Sequence, residues 1–463
     1  MAALDVSRPA GATLGGMTDR ILVIGAGLAG SEAAWQLARR GIPVTLAEMR
    51  PLTMTPAHHT ARAAELVCTN SFKSDVPRVA AGLLKEELRA LGSLVLRAAD
   101  ASKIPSGQDL SVDRNAFADA VEAGLAEAGV ERVAREVTDL DPAVPTIVAS
   151  GPLTSSPLAA ALERLTGAEH LHFFDAAAPI VFRESVDHDQ LFHRSRYDKG
   201  EGNYWNAPLD KAQYEAFVAE LVRGEQVELK GFEGTMWFEA CLPVEEIARR
   251  GPETLRFGPL KPLGLEDPRT GRRSWAVVQL RQEDAAAELY NLVGFQTNLR
   301  WPEQRRIFRT LPGLANAEFA RLGVMHRNTY IDSPRLLLPS HRLRGAERTW
   351  LAGQLIGVEG YLESAMSGMV SALNVAAWAE GRDEVIFPDD TAIGALVRYV
   401  TTPQKGFAPM NATWGIFPPL PDAASVRRDK RERALAHLER ARGSFDRFLA
   451  ERPELVPASP AAA

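Results

Sequence analysis

Cysteine is nearly absent from this chain: 463 residues contain two, Cys68 and Cys241. Two thiols build neither a disulfide framework nor, alone, a metal cluster, and such sparse use fits a reducing cytoplasm. Long apolar runs are absent too. No stretch reaches the roughly 18 apolar residues of a membrane-spanning helix, and Met1 to Met17 lack the charged start and continuous apolar run of a secretory signal. We expect no membrane association, a disordered leader over residues 1–18 with Met17 as an alternative start, and a disordered Pro/Ala tail over 451–463. Nor is positive charge in excess. With 53 Lys and Arg against 59 Asp and Glu, the net charge of -6 excludes a uniformly basic nucleic-acid binder. Patches differ from the average: residues 305–348 hold nine arginines against Glu318, Asp332 and Glu347, and Arg427 to Arg442 is basic with leucines at helical spacing. Both read as candidate phosphate-facing surfaces, the second on an amphipathic terminal helix.

What is present begins with a clear unit. Arg20-Ile-Leu-Val-Ile24 reads as a strand, Gly25-Ala-Gly-Leu-Ala-Gly30 follows at once, Ser31 to Arg40 reads as a helix closed by Gly41, and Val44-Thr-Leu46 makes a second strand ending at Glu48. In this pattern Gly25 permits the sharp turn, Gly27 lets the backbone approach a pyrophosphate, and Gly30 lets helix and strand pack closely. Ala26, Leu28 and Ala29 complete the loop whose N–H groups face the phosphates. Glu48 stands where a ribose hydroxyl is expected. The motif predicts dinucleotide binding.

The far end of the chain favours FAD over NAD. Thr349 to Gly357 reads as a strand entering a glycine-rich turn, and a small-residue helix follows from about Tyr361 to Glu380. Two-segment FAD folds close this way, with a Gly-Asp pair directed at the ribityl chain. Here the pair is Gly353-Gln354, so an amide replaces the carboxylate, and Tyr361 is a candidate cover for the isoalloxazine. The expected fold is α/β: a Rossmann-like, two-segment FAD-binding domain over 19–186 and 313–450, with a smaller α+β domain inserted over 187–312. That insert is dense in aromatics, prolines and charges, with a helix over 210–224 and a strand over 274–280.

Cys68 lies in "AELVCTNSFKSD", a polar setting with Lys73 nearby in sequence. A neighbouring cation raises the thiolate fraction of a thiol. Near a flavin, such a thiol serves either a dithiol relay or a nucleophilic attack. Cys241, in "FEACLPVEEIARRG", lies in the insert. His58, His59 and His172 have no partners at ligand spacing, and no metal is expected.

The segments "ELVCTNSFKS", "FEACLPVEEIARRG", "TLRFGPLKPLGLEDPRTGRR", "AVVQLRQEDAAAELYNLVGFQTNLRWPEQRRIF", "PGLANAEFARLGVMHRNTYIDSP" and "AGQLIGVEGYLESAMSG" resemble the bacterial folate- and FAD-dependent tRNA (uracil-5-)-methyltransferases. The likeness runs from Arg20 to about Phe417. A related flavoprotein family that modifies the wobble uridine shares the N-terminal unit but lacks the "GVMHRNTYIDSP" run. The resemblance implies transfer of a one-carbon unit from 5,10-methylenetetrahydrofolate to C5 of a T-loop uridine in tRNA, position 54, with FADH2 regenerated by NAD(P)H. Uracil C5 is a poor nucleophile until something adds at C6, and a thiolate can add and later leave. Cys68 and Cys241 match the two family cysteines; which one attacks and which acts as base stays open. His326 and Arg327 match a segment bordering the flavin, where an imidazole can stack on a pterin and a guanidinium can pair with a carboxylate or phosphate. Ala240 departs from the glycine expected before the second cysteine.

The target uridine is held in the tRNA elbow, so the base must be extracted and the backbone gripped by cations. Two other readings stand beside this one. A flavin-dependent NAD(P)H oxidoreductase with a redox dithiol would need the two thiols within disulfide reach. A non-catalytic RNA-binding protein with structural FAD would leave the thiols without work.

Overall fold

Five parallel strands form the first sheet of the computed structural model, which describes residues 20–168, 171–198, 204–227, 242–420 and 429–456. Their order is Thr349–Leu351, Thr146–Val148, Ile21–Ile24, Val44–Glu48, Glu131–Ala134. Val23, Leu46, Ile147, Val148 and Leu351 are completely or almost completely buried, as expected for a parallel sheet covered on both faces. The strand contributed from residue 349 onward pairs with Thr146–Val148. Segments distant in the sequence, one near its start and one after residue 348, therefore share one sheet.

The helix Leu28–Ala38 packs on the long helix Tyr361–Ala379, whose residues from Ala365 to Ala377 are all buried. Close approach sets the residue types at this seam. A Cβ on Gly368 would stand 2.0 Å from the carbonyl oxygen of Ala29, so a side chain there forces the helices apart. The terminal helix Lys430–Glu451 buries Leu438, Ala441, Phe445 and Phe448, and its Arg442 pairs with Glu86 of the helix Ala80–Ala90 at 2.7 Å.

A second sheet has the order Phe192–His193, Tyr204–Leu209, Ala276–Gln282, Leu289–Leu292, Ile180–Phe182, Phe319–Arg321. All its pairings are antiparallel. The helix Lys211–Arg223 buries Tyr214, Phe217, Val218 and Leu221 in a core of its own, with Val278, Leu280, Phe295 and Phe308. Two strands of this sheet, Ile180–Phe182 and Phe319–Arg321, lie outside the 187–312 span read from the sequence. Val181 and Leu314, both outside that span, join the same core. A two-stranded ribbon, Leu171–Ala176 with Met325–Tyr330, adjoins those strands in the chain. The sheet Ser71–Ser74, Asp109–Val112, Lys103–Ile104 lies just after Cys68 in the chain. No helix among the described residues is long and apolar enough to cross a membrane.

Helix starts in the first unit are tied down by buried carboxylates. Glu32 accepts from the N–H groups of Leu94 and Val95 and from Ser93 Oγ, at the start of the helix Leu94–Ala101. Glu87 accepts from Ala392 and Ile393 at 2.8 and 2.9 Å, at the start of the helix Ala392–Thr401. Helix N-termini favour such anions. Burial outweighs this: it pushes Glu87 up to about 8 despite the two backbone bonds, and raises Glu32 also. In the second unit burial pushes Glu245 up to about 7. The folded chain thus keeps protons that the unfolded chain releases near pH 4.5. Between that pH and about 8 the unfolded state binds fewer protons, so stability falls as pH rises. In thermal unfolding of the wild type and Glu87→Gln from about pH 5.5 to 8.5, the wild type should lose more of its midpoint, narrowing the gap between them. A gap independent of pH would remove Glu87 from this account.

Candidate active site

At the end of the first strand the backbone turns at Gly25, with φ +97°, where a Cβ would stand 2.5 Å from the oxygen of Ala149. A Cβ on Gly30 would collide with the Gly25 carbonyl oxygen at 1.8 Å, so the helix can start this close to the strand only with glycine. Gly27 caps the helix without any side-chain hydrogen bond, and no atom lies within 4 Å of its Cβ position. The start of the helix at Gly27 is thus uncrowded and has no side chain capping it, which fits a pyrophosphate.

Glu48 ends the second strand and is 5% exposed. Its Oε2 accepts from the Ala26 N–H at 2.7 Å, and its Oε1 from the backbone and Nε of Arg50 at 3.0 and 2.9 Å. Burial works against its charge, but the bonds and charge of Arg50 hold it below the usual carboxylate range. An ionised carboxylate therefore stands beside the glycine turn, as a ribose requires.

The late turn meets this cradle from the other side. Gly353 has φ +80°, its N–H donates to Ser367 Oγ at 2.7 Å, and its Cβ position is 3.2 Å from Ala29 Cβ. The Gln354 amide donates to Glu359 Oε2. The turn thus carries a carboxylate after all, five residues beyond the expected place, and nothing in a Gly-Gln pair announces it.

Cys68 lies on a partly buried loop gripped along its backbone. The Tyr361 hydroxyl accepts from the N–H groups of Cys68 and Thr69 and donates to the Thr69 carbonyl, each at 3.0 Å. Arg321 donates to the carbonyls of Val67 and Cys68, both at 2.9 Å. Arg114 donates to Leu66 O and, at 3.4 Å, to Cys68 O. Arg281 donates to Thr69 Oγ1. Asn70, fully buried, donates to Val112 O, Gln282 O and Glu283 O at 3.1, 3.1 and 3.3 Å. Burial depresses Arg321, aided by the charge of Arg114. Burial also opposes the charge of Arg114, but Glu283, 2.8 Å from its Nε, outweighs it and raises the group. Both guanidinium groups interact electrostatically with Cys68, and a neighbouring cation favours a thiolate.

Several expectations change here. Lys73, the cation nearest Cys68 in sequence, pairs instead with Glu363 at 3.1 Å; Arg114 and Arg321, 46 and 253 residues away, flank the loop. Tyr361, read as a cover for the isoalloxazine, also ties the thiol loop through its hydroxyl. Among the described arginines of 305–348, several have protein partners. Arg306 pairs with Glu303 and Glu220, Arg335 with Asp332, and Arg342 with Glu384; Arg348 lies over the Trp378 ring at 5.6 Å. These pairs and the ring engage part of the charge, and Arg305, Arg306, Arg309, Arg335 and Arg344 all stay exposed. Lys430, Arg431 and Arg433 are exposed on the first turn of the terminal helix. His326 and Arg327 fall on the ribbon strand opposite Asp175 and Phe174. Cys241 and Ala240 lie outside the described residues. Sequence reasoning missed Arg114, Arg281, Glu283 and Arg321. The last three sit inside the runs "AVVQLRQEDAAAELYNLVGFQT" and "PGLANAEFARLG", which was the available signal; Arg114 had none.

Replacing Tyr361 with Phe leaves two partly buried N–H groups without their acceptor. We expect a loss of about 1–3 kcal/mol, read from urea unfolding; a loss below about 0.3 kcal/mol would mean that water replaces the hydroxyl.

A model of the family described as glucose inhibited division protein A matches residues 20–383. The methylenetetrahydrofolate--tRNA-(uracil-5-)-methyltransferase TrmFO of Heliobacterium modesticaldum is 53% identical over 433 residues, covering 93% of this chain and 98% of that protein. The protein of the same name from Anoxybacillus flavithermus is 51% identical over 430 residues, covering 93% and 99%. Among solved structures, Aquifex aeolicus GidA in its form II crystal superposes with a TM-score of 0.67 at 17% identity, covering 95% of this chain and 75% of that one; it supports the fold alone. With half its residues shared almost end to end, and with a glycine cradle, a late second turn and a gripped cysteine loop in one unit, this chain belongs to the GidA family and, within it, to the methylenetetrahydrofolate-dependent tRNA (uracil-5-)-methyltransferases.

Proposed function

We propose that this protein methylates C5 of the T-loop uridine of tRNA, position 54, with 5,10-methylenetetrahydrofolate as carbon donor and NAD(P)H as the source of electrons, in the cytoplasm. The observation that carries the site assignment is the Cys68 loop, held at four successive residues by Arg114, Arg321, Arg281 and Tyr361. FAD, when bound, supplies the reducing equivalents that turn a methylene into a methyl group. The chain's own residues do the rest.

The loop from Gly25 to Gly30 binds the pyrophosphate and Glu48 orients the ribose. Gly353, Gln354 and Tyr361 face the other half of the cofactor, and His326 and Arg327 hold the folate. We take the catalytic pair to be Cys68 and Cys241, one adding to uracil C6 and the other removing the C5 proton. Guanidinium groups around Cys68 favour the thiolate that either task needs. The inserted unit, which we take to include the second sheet and its core from Ala178 to Arg321, presents the RNA. Cations exposed at the start of the terminal helix, Lys430, Arg431 and Arg433, are placed to meet phosphate.

The test is incubation of the FAD-loaded protein with undermodified tRNA, NADH or NADPH, and labelled methylenetetrahydrofolate. Label in C5-methyluridine at position 54 is expected, falling by at least about a hundredfold in Cys68→Ser, since loss of a nucleophile or base costs that much. NAD(P)H oxidation without label in the tRNA would instead favour a small-molecule oxidoreductase. Removing charge with Lys430→Ala and Arg431→Ala should weaken tRNA binding and flatten its salt dependence by about one unit of slope for each cation–phosphate pairing abolished. An unchanged slope would move the RNA surface elsewhere.

A further inference from the structure

The thiol loop belongs to the first unit, yet much of what holds it comes from the second. Gln282 ends the strand Ala276–Gln282, and Glu283 and Asp284 begin the turn to Leu289–Leu292. At this turn Asn70 donates to the carbonyls of Gln282 and Glu283, and the Ala285 N–H donates to Asp113 Oδ2 at 2.9 Å. Glu283, with its side chain 2% exposed, reaches Arg114 at 2.8 Å through Oε2. Its Oε1 accepts no hydrogen bond and lies 3.9 Å from the Arg281 guanidinium. Nε of Arg281 and Nε of Arg321 are likewise buried without a hydrogen-bond partner.

The groups facing the loop are therefore Arg114 from the helix Arg114–Glu127, Arg281 and Glu283 from the hairpin, Arg321 from the edge strand, and the Tyr361 hydroxyl. Asp109, which burial raises, interacts with Arg281 as well. Three guanidinium groups thus surround the loop with Glu283 as the carboxylate in contact with two of them. Glu283 and Arg281 are buried and the loop itself is partly buried, so charge here is screened less than at the surface.

We propose that Glu283 is a positioning residue for Cys68: by pairing with Arg114 and Arg281 it makes the hairpin of the second unit the clamp that orients the thiol loop, and it sets the charge around the thiol. This rests on the reading of Cys68 as a reacting thiol. Removing the carboxylate does two things at once. It frees Arg114 to swing away from the carbonyls of Leu66 and Cys68, which misplaces the sulfur, and it leaves the positive charge uncompensated, which favours the thiolate further. A merely structural residue would do only the first.

The experiment uses the reduced, FAD-loaded full chain and follows iodoacetamide alkylation of the Cys68 peptide by mass spectrometry from about pH 5 to 10, beside methyl transfer to tRNA. In Glu283→Gln the pH of half-maximal alkylation should move down by about half a unit or more, while kcat falls about tenfold and KM for tRNA stays within about twofold. Glu283→Asp, which keeps the charge but shortens the arm, should leave the alkylation profile in place and lower kcat by about threefold. A folded, FAD-retaining Glu283→Gln with an unmoved alkylation profile overturns the proposal, as does wild-type kcat in either variant. If Glu283→Gln does not fold, the kcat of Glu283→Asp decides alone. Should Cys68→Ser keep full methyl transfer, the reading of Cys68 fails, whereas the alkylation shift still reports whether Glu283 governs that thiol.

Discussion

The seam between the helices Leu28–Ala38 and Tyr361–Ala379 is the contact on which the rest of the site depends. It exists because Gly368 leaves room for the Ala29 carbonyl, and because Ala33, Ala34, Ala365 and Ala372 keep both surfaces thin and fully buried. At this distance the start of the first helix stands beside Gly353, and the hydroxyl of Tyr361, at the head of the second helix, meets the loop after the second strand. A larger side chain anywhere along the seam would widen both junctions together. Interiors this densely packed transmit a displacement rather than absorb it.

Charge inside the protein follows one scheme. Buried carboxylates receive backbone N–H groups: Glu32 and Glu87 at helix starts, Glu245 at Asn298, and Glu363 at Ala412. Guanidinium groups serve backbone carbonyls in the same way, Arg114 and Arg321 at residues 66–68. In both cases a long side chain from a distant part of the chain satisfies main-chain atoms that no regular element could. The desolvation that this requires is large. Each group meets more than one partner, but at Glu87 and Glu245 burial outweighs those bonds and the carboxyl holds its proton to higher pH, so the ionisation of such groups is sensitive to small changes nearby. Around Cys68 that sensitivity falls on the one described thiol.

The two units meet at this same place. A hairpin whose hydrophobic face belongs to the core of the second unit presents its polar end, Arg281 to Asp284, to the cysteine loop of the first. Alternation along the strand explains the division: Val278 and Leu280 are fully buried in the second core, while Gln279 and Arg281 point the other way. The unit proposed to present the RNA is thus bonded to the loop proposed to do chemistry on it.

Local patterns read directly from the residues. The strand-turn-helix-strand unit from Ile21 to Glu48, the late strand and helix, the helix over 210–224 and the terminal helix each carry their periodicity and punctuation within one short window, and each stands close to where that window puts it. The cradle was legible for the same reason: its glycines answer to neighbours a few residues away, and the nearby acid, Glu48, ends the next strand. The surroundings of Cys68 were not legible. Lys73 is close in sequence and faces Glu363, whereas Arg114, Arg281, Glu283 and Arg321 come from three different elements. Likewise, nine arginines in one stretch suggested a single basic face, and folding turned five of them to other work: Arg306, Arg335 and Arg342 to ion pairs, Arg348 to a tryptophan ring and Arg321 to the cysteine loop. Backbone conformation and hydrophobic periodicity are properties of adjacent residues, so one strand of sequence contains them. Which charge meets which depends on how two cores close against each other, and that was decided only when the chain folded.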